Sequence, residues 1–214
     1  MLLLPLLIVG FGVCSTESKN VPVPQAPTNK TLIVGTRKLM RSNETIRLLM
    51  YSNSIEGEIP KCISSNLLTE KQVGGGFRRT LEADGNITAD SGKPIKPMKT
   101  STTAPPKMHK ISVRANVTVY VGQVYPTLQV KPDEDKLPPL WKDVQYILHA
   151  ADKCIILAAG SYNGDPDKPP CTLWGYEKQT KCEQKFQNLC GNGVSVDLSE
   201  CERLKKEGDS PVEN

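Results

Sequence analysis

Five of the chain's seven cysteines fall between Cys154 and Cys201, and every piece of structure predicted in that stretch carries at least one of them. Cys154-Ile155-Ile156-Leu157-Ala158-Ala159 is a short apolar run of the kind that forms a buried strand, and Gly160 to Pro170 supplies turn residues after it. Cys171-Thr172-Leu173-Trp174-Gly175-Tyr176 returns as a partner strand. From Lys181 the period changes: Cys182, Phe186, Leu189 and Cys190 recur on one face of a helix, and Gly191 stands where a glycine caps such a helix. The stretch therefore predicts a hairpin with a helix laid against it, closed by a loop at Cys201.

The start of the chain sets the compartment. Leu2 to Cys14 is an apolar run too short to span a bilayer and suited to a secretory signal, with Gly12 and Cys14 as the small residues of a cleavage site. It lacks a basic n-region, and a lipoprotein signal ending at Cys14 would want a smaller residue than Val13. Removal of residues 1–14 leaves Cys62, Cys154, Cys171, Cys182, Cys190 and Cys201, an even set that an oxidising compartment would close into three bridges and whose pairing the spacing leaves open. No CxxC pair occurs and the only histidines are His109 and His149, which argues against zinc or another metal. Four glycosylation sequons, at Asn29, Asn43, Asn86 and Asn116, fit an extracellular, secreted protein. A net charge of +4, spread along the chain, gives no basic patch for nucleic acid. The expectation is a secreted monomer with no membrane or nucleic-acid partner.

Residues 15–30 are polar and Pro-rich and read as an extended arm. Ile46–Tyr51 and Lys61–Ser64 are candidate strands with a turn between them. The Gly74–Gly76 run lacks the lysine and helix start of a phosphate loop and reads as a loop before the strand that begins at Phe77. Residues 90–106, with their prolines and Thr/Ser cluster, read as an insertion. In Ile111–Val119 the odd positions are apolar and the even ones polar, the clearest strand in the chain. Tyr120–Val130 continues it past a bulge at Gly122, a charged loop spans Lys131–Pro139, and Val144–Ala151 is a further strand. Residues 202–214 form a polar, frayed tail. Six to eight strands in succession and one helix define an all-β class, as a barrel or sandwich with an appended helix. Neither histidine sits in a nucleophile motif, so the chain does not read as an enzyme and needs no cofactor.

Cys62, Asp143-Val144-Gln145-Tyr146, Asp152-Lys153-Cys154, Cys171-Thr172-Leu173-Trp174, Cys182, Phe186, Cys190-Gly191 and Cys201 together resemble the pattern of the tick salivary lipocalins, the group that contains the histamine-binding proteins. The likeness spans 31–201 and is most specific over the last third of the chain. It implies an eight-stranded antiparallel lipocalin-like barrel with a C-terminal helix packed outside, and bridges Cys62–Cys201 and Cys154–Cys182, which leaves Cys171–Cys190. It also implies a ligand: a small host mediator held in the barrel, either a biogenic amine such as histamine or serotonin, or an eicosanoid or fatty acid. The amine-binding pattern carries an acid after the first strand cysteine and another before Leu-Trp; this chain has Ile155 and Thr172. A buried ammonium without a carboxylate is costly, so lipid is favoured over amine, although Asp143 or Asp152 could stand in for the lost acids. Arg78, Arg79 or Arg114 could face a ligand carboxylate, and Trp141, Tyr146 and Trp174 could line the wall. For each the plain alternative is a solvated charge or ordinary packing. A protein-binding inhibitor of host defence, for example of complement, with a vestigial cavity is the alternative function.

Overall fold

The computed structural model describes residues 28–57, 59–71, 76–84, 110–133, 144–160 and 169–208. The first element is a helix, α1 (Asn29–Arg41). The Thr28 side chain caps it by accepting the Thr31 backbone N–H at 3.3 Å, and Lys38 and Arg41 in its last turn complement the negative end of the helix dipole. Its buried side chains are Leu32, Thr36, Leu39 and Met40, one face at helical spacing. The expected arm over 15–30 is thus corrected at its end, because Asn29 and Lys30 form the first turn of this helix.

Ten strands follow among the described residues: β1 (Ile46–Ser52), β2 (Lys61–Ser65), β3 (Leu67–Glu70), β4 (Phe77–Asp84), β5 (Lys110–Tyr120), β6 (Thr127–Pro132), β7 (Gln145–Ala150), β8 (Cys154–Ala159), β9 (Cys171–Gly175) and, after a further described helix, β10 (Gly193–Ser195). That helix is α2 (Thr180–Cys190), and a third, α3 (Leu198–Gly208), ends the described chain. Eight of the strands form an antiparallel barrel, β1-β2-β4-β5-β6-β7-β8-β9, which closes where β9 pairs with β1 at Leu48↔Trp174 and Tyr51↔Thr172. β3 pairs β4 outside this circuit, and β10 adds to β1. A barrel rather than a sandwich results, since closure leaves no long edge unpaired.

Alternation sorts the side chains. Val113, Ala115, Val117 and Val119 of β5 are buried while Ser112, Arg114 and Tyr120 are exposed, as the period of two requires. Chain 121–126 is a turn, so Gly122 belongs to the β5–β6 hairpin and not to a bulge within one strand. Facing rows from β1, β2, β4, β8 and β9, including Leu48, Ile63, Phe77, Ile155, Leu157 and Trp174, fill the barrel. Cys154, Ile156, Cys171 and Leu173 point outward into a second cluster, where Phe186 of α2 is fully buried. Bridges Cys154–Cys182 and Cys171–Cys190 fasten α2 over that cluster, and Cys62–Cys201 fastens α3 to β2. All three pairings implied by the resemblance are present. The C-terminal segment is corrected in one respect: α3 runs on to Gly208, where a frayed tail was expected from 202.

Helix α1 closes one end of the barrel. Lys38 Nζ lies 2.9 Å from Asp152 Oδ1 in the β7–β8 turn, Arg41 Nη2 2.6 Å from Glu70 Oε1 at the end of β3, and Asn29 Nδ2 donates to Gly122 O at 3.4 Å in the β5–β6 turn. Gly35 permits the contact, since a Cβ there would stand 3.1 Å from the Ala150 Cβ. At the opposite end lie a short helical turn (Asn53–Ile55) and the ends of the strands that bound 85–109, 134–143 and 161–168, which are outside the described residues.

Candidate ligand cavity in the barrel

A cavity of about 50 Å³ lies in the barrel above α1. Its walls come from Met40 of α1, Ile46 of β1, Leu128 and Val130 of β6, Ile155 and Leu157 of β8 and Trp174 of β9, and the surface it presents is apolar almost throughout. That volume accommodates roughly three or four water molecules, well below the ~300–1,000 Å³ of pockets that enclose drug-sized ligands.

Positions 155 and 172, which carry acids in the amine-binding pattern, are both buried on the inward side of their strands. Ile155 is buried and lines the cavity. Thr172 is buried on β9, and its Oγ1 accepts the Trp174 indole N–H at 3.0 Å, so its hydroxyl is engaged inside the wall. Neither side chain supplies a negative charge, and no carboxylate of the described residues lines the cavity.

Among the described residues Arg79 is the charged one at the cavity, and it comes from β4 opposite Ala115. It is 1% exposed. Its Nε donates to Ser65 Oγ at 3.0 Å, Nη1 to Met40 O at 2.5 Å and Ser42 O at 3.3 Å, and Nη2 to Ser65 O at 3.0 Å. The guanidinium thus caps the C-terminal carbonyls of α1 and ties them to β2, where the negative end of the helix dipole favours a cation. No carboxylate of the described residues pairs with it. Burial pushes it down to about 10, opposed by the nearby Tyr176 hydroxyl. Its head is committed to the floor and its stem faces the cavity.

The other sequence candidates separate. Trp174 lines the cavity. Arg78 and Arg114 are corrected: both lie on the outer face, because β4 and β5 alternate and Phe77 and Val113 take the inner positions. Arg78 forms an ion pair with Asp133, which also accepts from Asn116 Nδ2 at 3.2 Å. Tyr146 is 41% exposed and stands outside the barrel. Asp152 is at the surface with Lys38. Trp141, Asp143 and Asn86 lie outside the described residues. Asn43 is exposed in the turn after α1, whereas Asn29 and Asn116 are half-buried. Arg79 carried a usable signal: it shares parity with Phe77 and Leu81, the apolar positions of β4.

Among solved structures, the chain is similar to Japanin from Rhipicephalus appendiculatus bound to cholesterol, with a TM-score of 0.51, 16% identity, and coverage of 74% of this chain and 94% of that one. It also matches lobster apocrustacyanin A1 (TM-score 0.45, 10% identity, 80% of this chain and 87% of that one) and apocrustacyanin C2 (TM-score 0.44, 10% identity, 80% and 87%). No family model matches the chain, and no curated protein matches it in sequence. The likeness to Japanin and the closed eight-stranded circuit give the fold as that of the lipocalins.

Proposed function

We propose that this lipocalin-fold chain is a secreted salivary protein of the tick type that sequesters a small host mediator, and that the mediator is a lipid or eicosanoid rather than histamine or serotonin. Its cysteine pattern and bridge pairing, and the likeness to a tick protein of the same fold, support the group. One observation carries the choice of ligand: the two inward positions where an amine binder needs acids hold Ile155, which lines the cavity, and Thr172 in the wall behind it, and among the described residues the one charged neighbour of the cavity is the cation Arg79. An ammonium brought there would lose its hydration without a counter-charge and would meet a like charge, whereas apolar carbon would replace apolar packing. Japanin's solved structure holds cholesterol, so this fold accepts a rigid apolar guest in that protein. Here the small cavity requires wall side chains such as Met40 and Leu128 to yield to a guest, and the apolar end of the ligand is the part that enters.

The same small volume favours a second reading, a protein-binding inhibitor of host defence whose barrel is simply packed. Trp174 distinguishes the two. In a Trp141→Phe variant it is the sole indole, and its emission is expected to shift saturably with arachidonic acid or cholesterol and to ignore histamine. A response to histamine overturns the ligand assignment; silence toward every lipid supports the inhibitor.

A further inference from the structure

The barrel wall is split between β1 and β2. These strands pair only at Ile46↔Ser65 and Arg47↔Ser64. Beyond that point Cys62 has a left-handed backbone (φ 57°), the one positive φ at a non-glycine among the described residues, and the β2–β4 register shifts between Lys61 and Ser64. β2 carries a bulge there, and β1 gives its free edge to the three-residue β10 at Met50↔Ser195 to Ser52↔Gly193. A cleft of about 80 Å³ occupies the split, larger than the cavity inside the barrel. Its floor is Leu48, Ile63 and Ala83, all members of the cluster that fills the barrel, and its rim carries Arg47, Glu82 and Lys205. Leu48 is the cross-strand partner of Trp174 in the cavity wall.

Helix α3 roofs this cleft with Leu198 and Cys201. None of its described side chains, 198–206, is buried. An 11-residue helix with so little apolar burial is marginal in water by itself, and the Cys62–Cys201 bridge, together with Leu198 packed on the outer cluster, fastens it to the barrel.

We propose that α3 is a disulfide-tethered door over a lateral window between β1 and β2, through which an apolar ligand chain reaches the barrel interior. The inference rests on the barrel being a ligand site, as proposed above. It departs from passage through the end of the barrel opposite α1, because the window opens directly onto core side chains whose movement enlarges the cavity.

The test cuts the tether. The variants C62S/C201S and C62G/C201S are compared with the unaltered protein; the glycine removes the left-handed strain at position 62 and keeps the experiment readable if serine disturbs β2. Far-ultraviolet circular dichroism should report loss of α3 helix with the barrel retained. Stopped-flow binding of cis-parinaric acid, a fluorescent fatty acid, should show association and release both faster by about tenfold, with equilibrium affinity within about twofold. Equal rates before and after the cut overturn the window. If neither form binds the probe, the ligand-site reading fails separately, and acrylamide quenching of Trp174 in a Trp141→Phe background decides the window alone: greater quenching in the cut variants supports it, equal quenching overturns it.

Discussion

Replacing Arg79 by methionine tests the floor of the barrel. Methionine matches the stem but removes four hydrogen bonds and leaves the carbonyls of Met40, Ser42 and Ser65 without their donor. Each stranded buried acceptor costs about 1–3 kcal/mol, so the three together amount to roughly 3–9. Against that stands the relief of no longer burying a cation that lacks a carboxylate partner, worth several kcal/mol. The hydrogen-bond loss should win, because the Met40 carbonyl is buried and those of Ser42 and Ser65 are half-buried, and the expected net is destabilisation of about 3 kcal/mol, or roughly 6–12 °C in Tm. Arg79→Lys keeps the charge but not the planar fork, and should lose about 2 kcal/mol. Urea denaturation measures both, and amide exchange should speed up first in α1. The pH dependence has a definite sign. Burial holds the Arg79 pKa near 10, below the usual guanidinium range, so above about pH 10 the unfolded chain binds more protons than the folded one and this residue's contribution to stability rises with pH; below that window the cost of charge burial is present in full. A methionine variant as stable as the parent at neutral pH would refute the clamp.

Other consequences are equally direct. Ile155→Asp/Thr172→Glu places two acids where the amine-binding pattern has them; it should lose several kcal/mol without ligand and regain Tm with histamine, while the parent's Tm stays indifferent to histamine. Phe186→Ala, emptying the centre of the α2 interface, should cost about 3–5 kcal/mol by chemical denaturation. Removing the Cys171–Cys190 bridge, which spans 19 positions, should cost about 3 kcal/mol by the chain-entropy argument. His149 is held below its usual pKa by burial and by Lys185, and its Nδ1 has no partner among the described residues. The unfolded chain therefore takes up a proton that the folded one resists as pH drops through 6.5, and His149→Gln should reduce the resulting loss of stability on the acid side.

Strand β5 was legible because nothing interrupts its alternation, and α2 because Cys182, Phe186 and Cys190 keep helical spacing. Helix α1 was not: Ile33 and Val34 are β-branched, Gly35 lowers helix propensity, and the buried face includes the polar Thr36, so local preference and tertiary role point different ways. The Thr28 cap was the available signal. Helix α3 escaped for a related reason, since a covalent bridge fastens it and its described side chains form no buried apolar stripe. For the site, two adjacent arginines on β4 had to face opposite ways, and the parity of Phe77 and Leu81 selects Arg79 of the two. The inward aim of positions 155 and 172 followed from the cysteines beside them, which must face outward to reach α2.

The barrel is expected to take apolar ligands and to refuse amines. Native mass spectrometry of the protein secreted from eukaryotic cells, with all six described cysteines bridged, incubated with arachidonic acid, a cysteinyl leukotriene, cholesterol, histamine and serotonin, addresses it most directly. A one-to-one adduct with at least one lipid and none with either amine is the expected result. An amine adduct, or no adduct with any lipid, would contradict it.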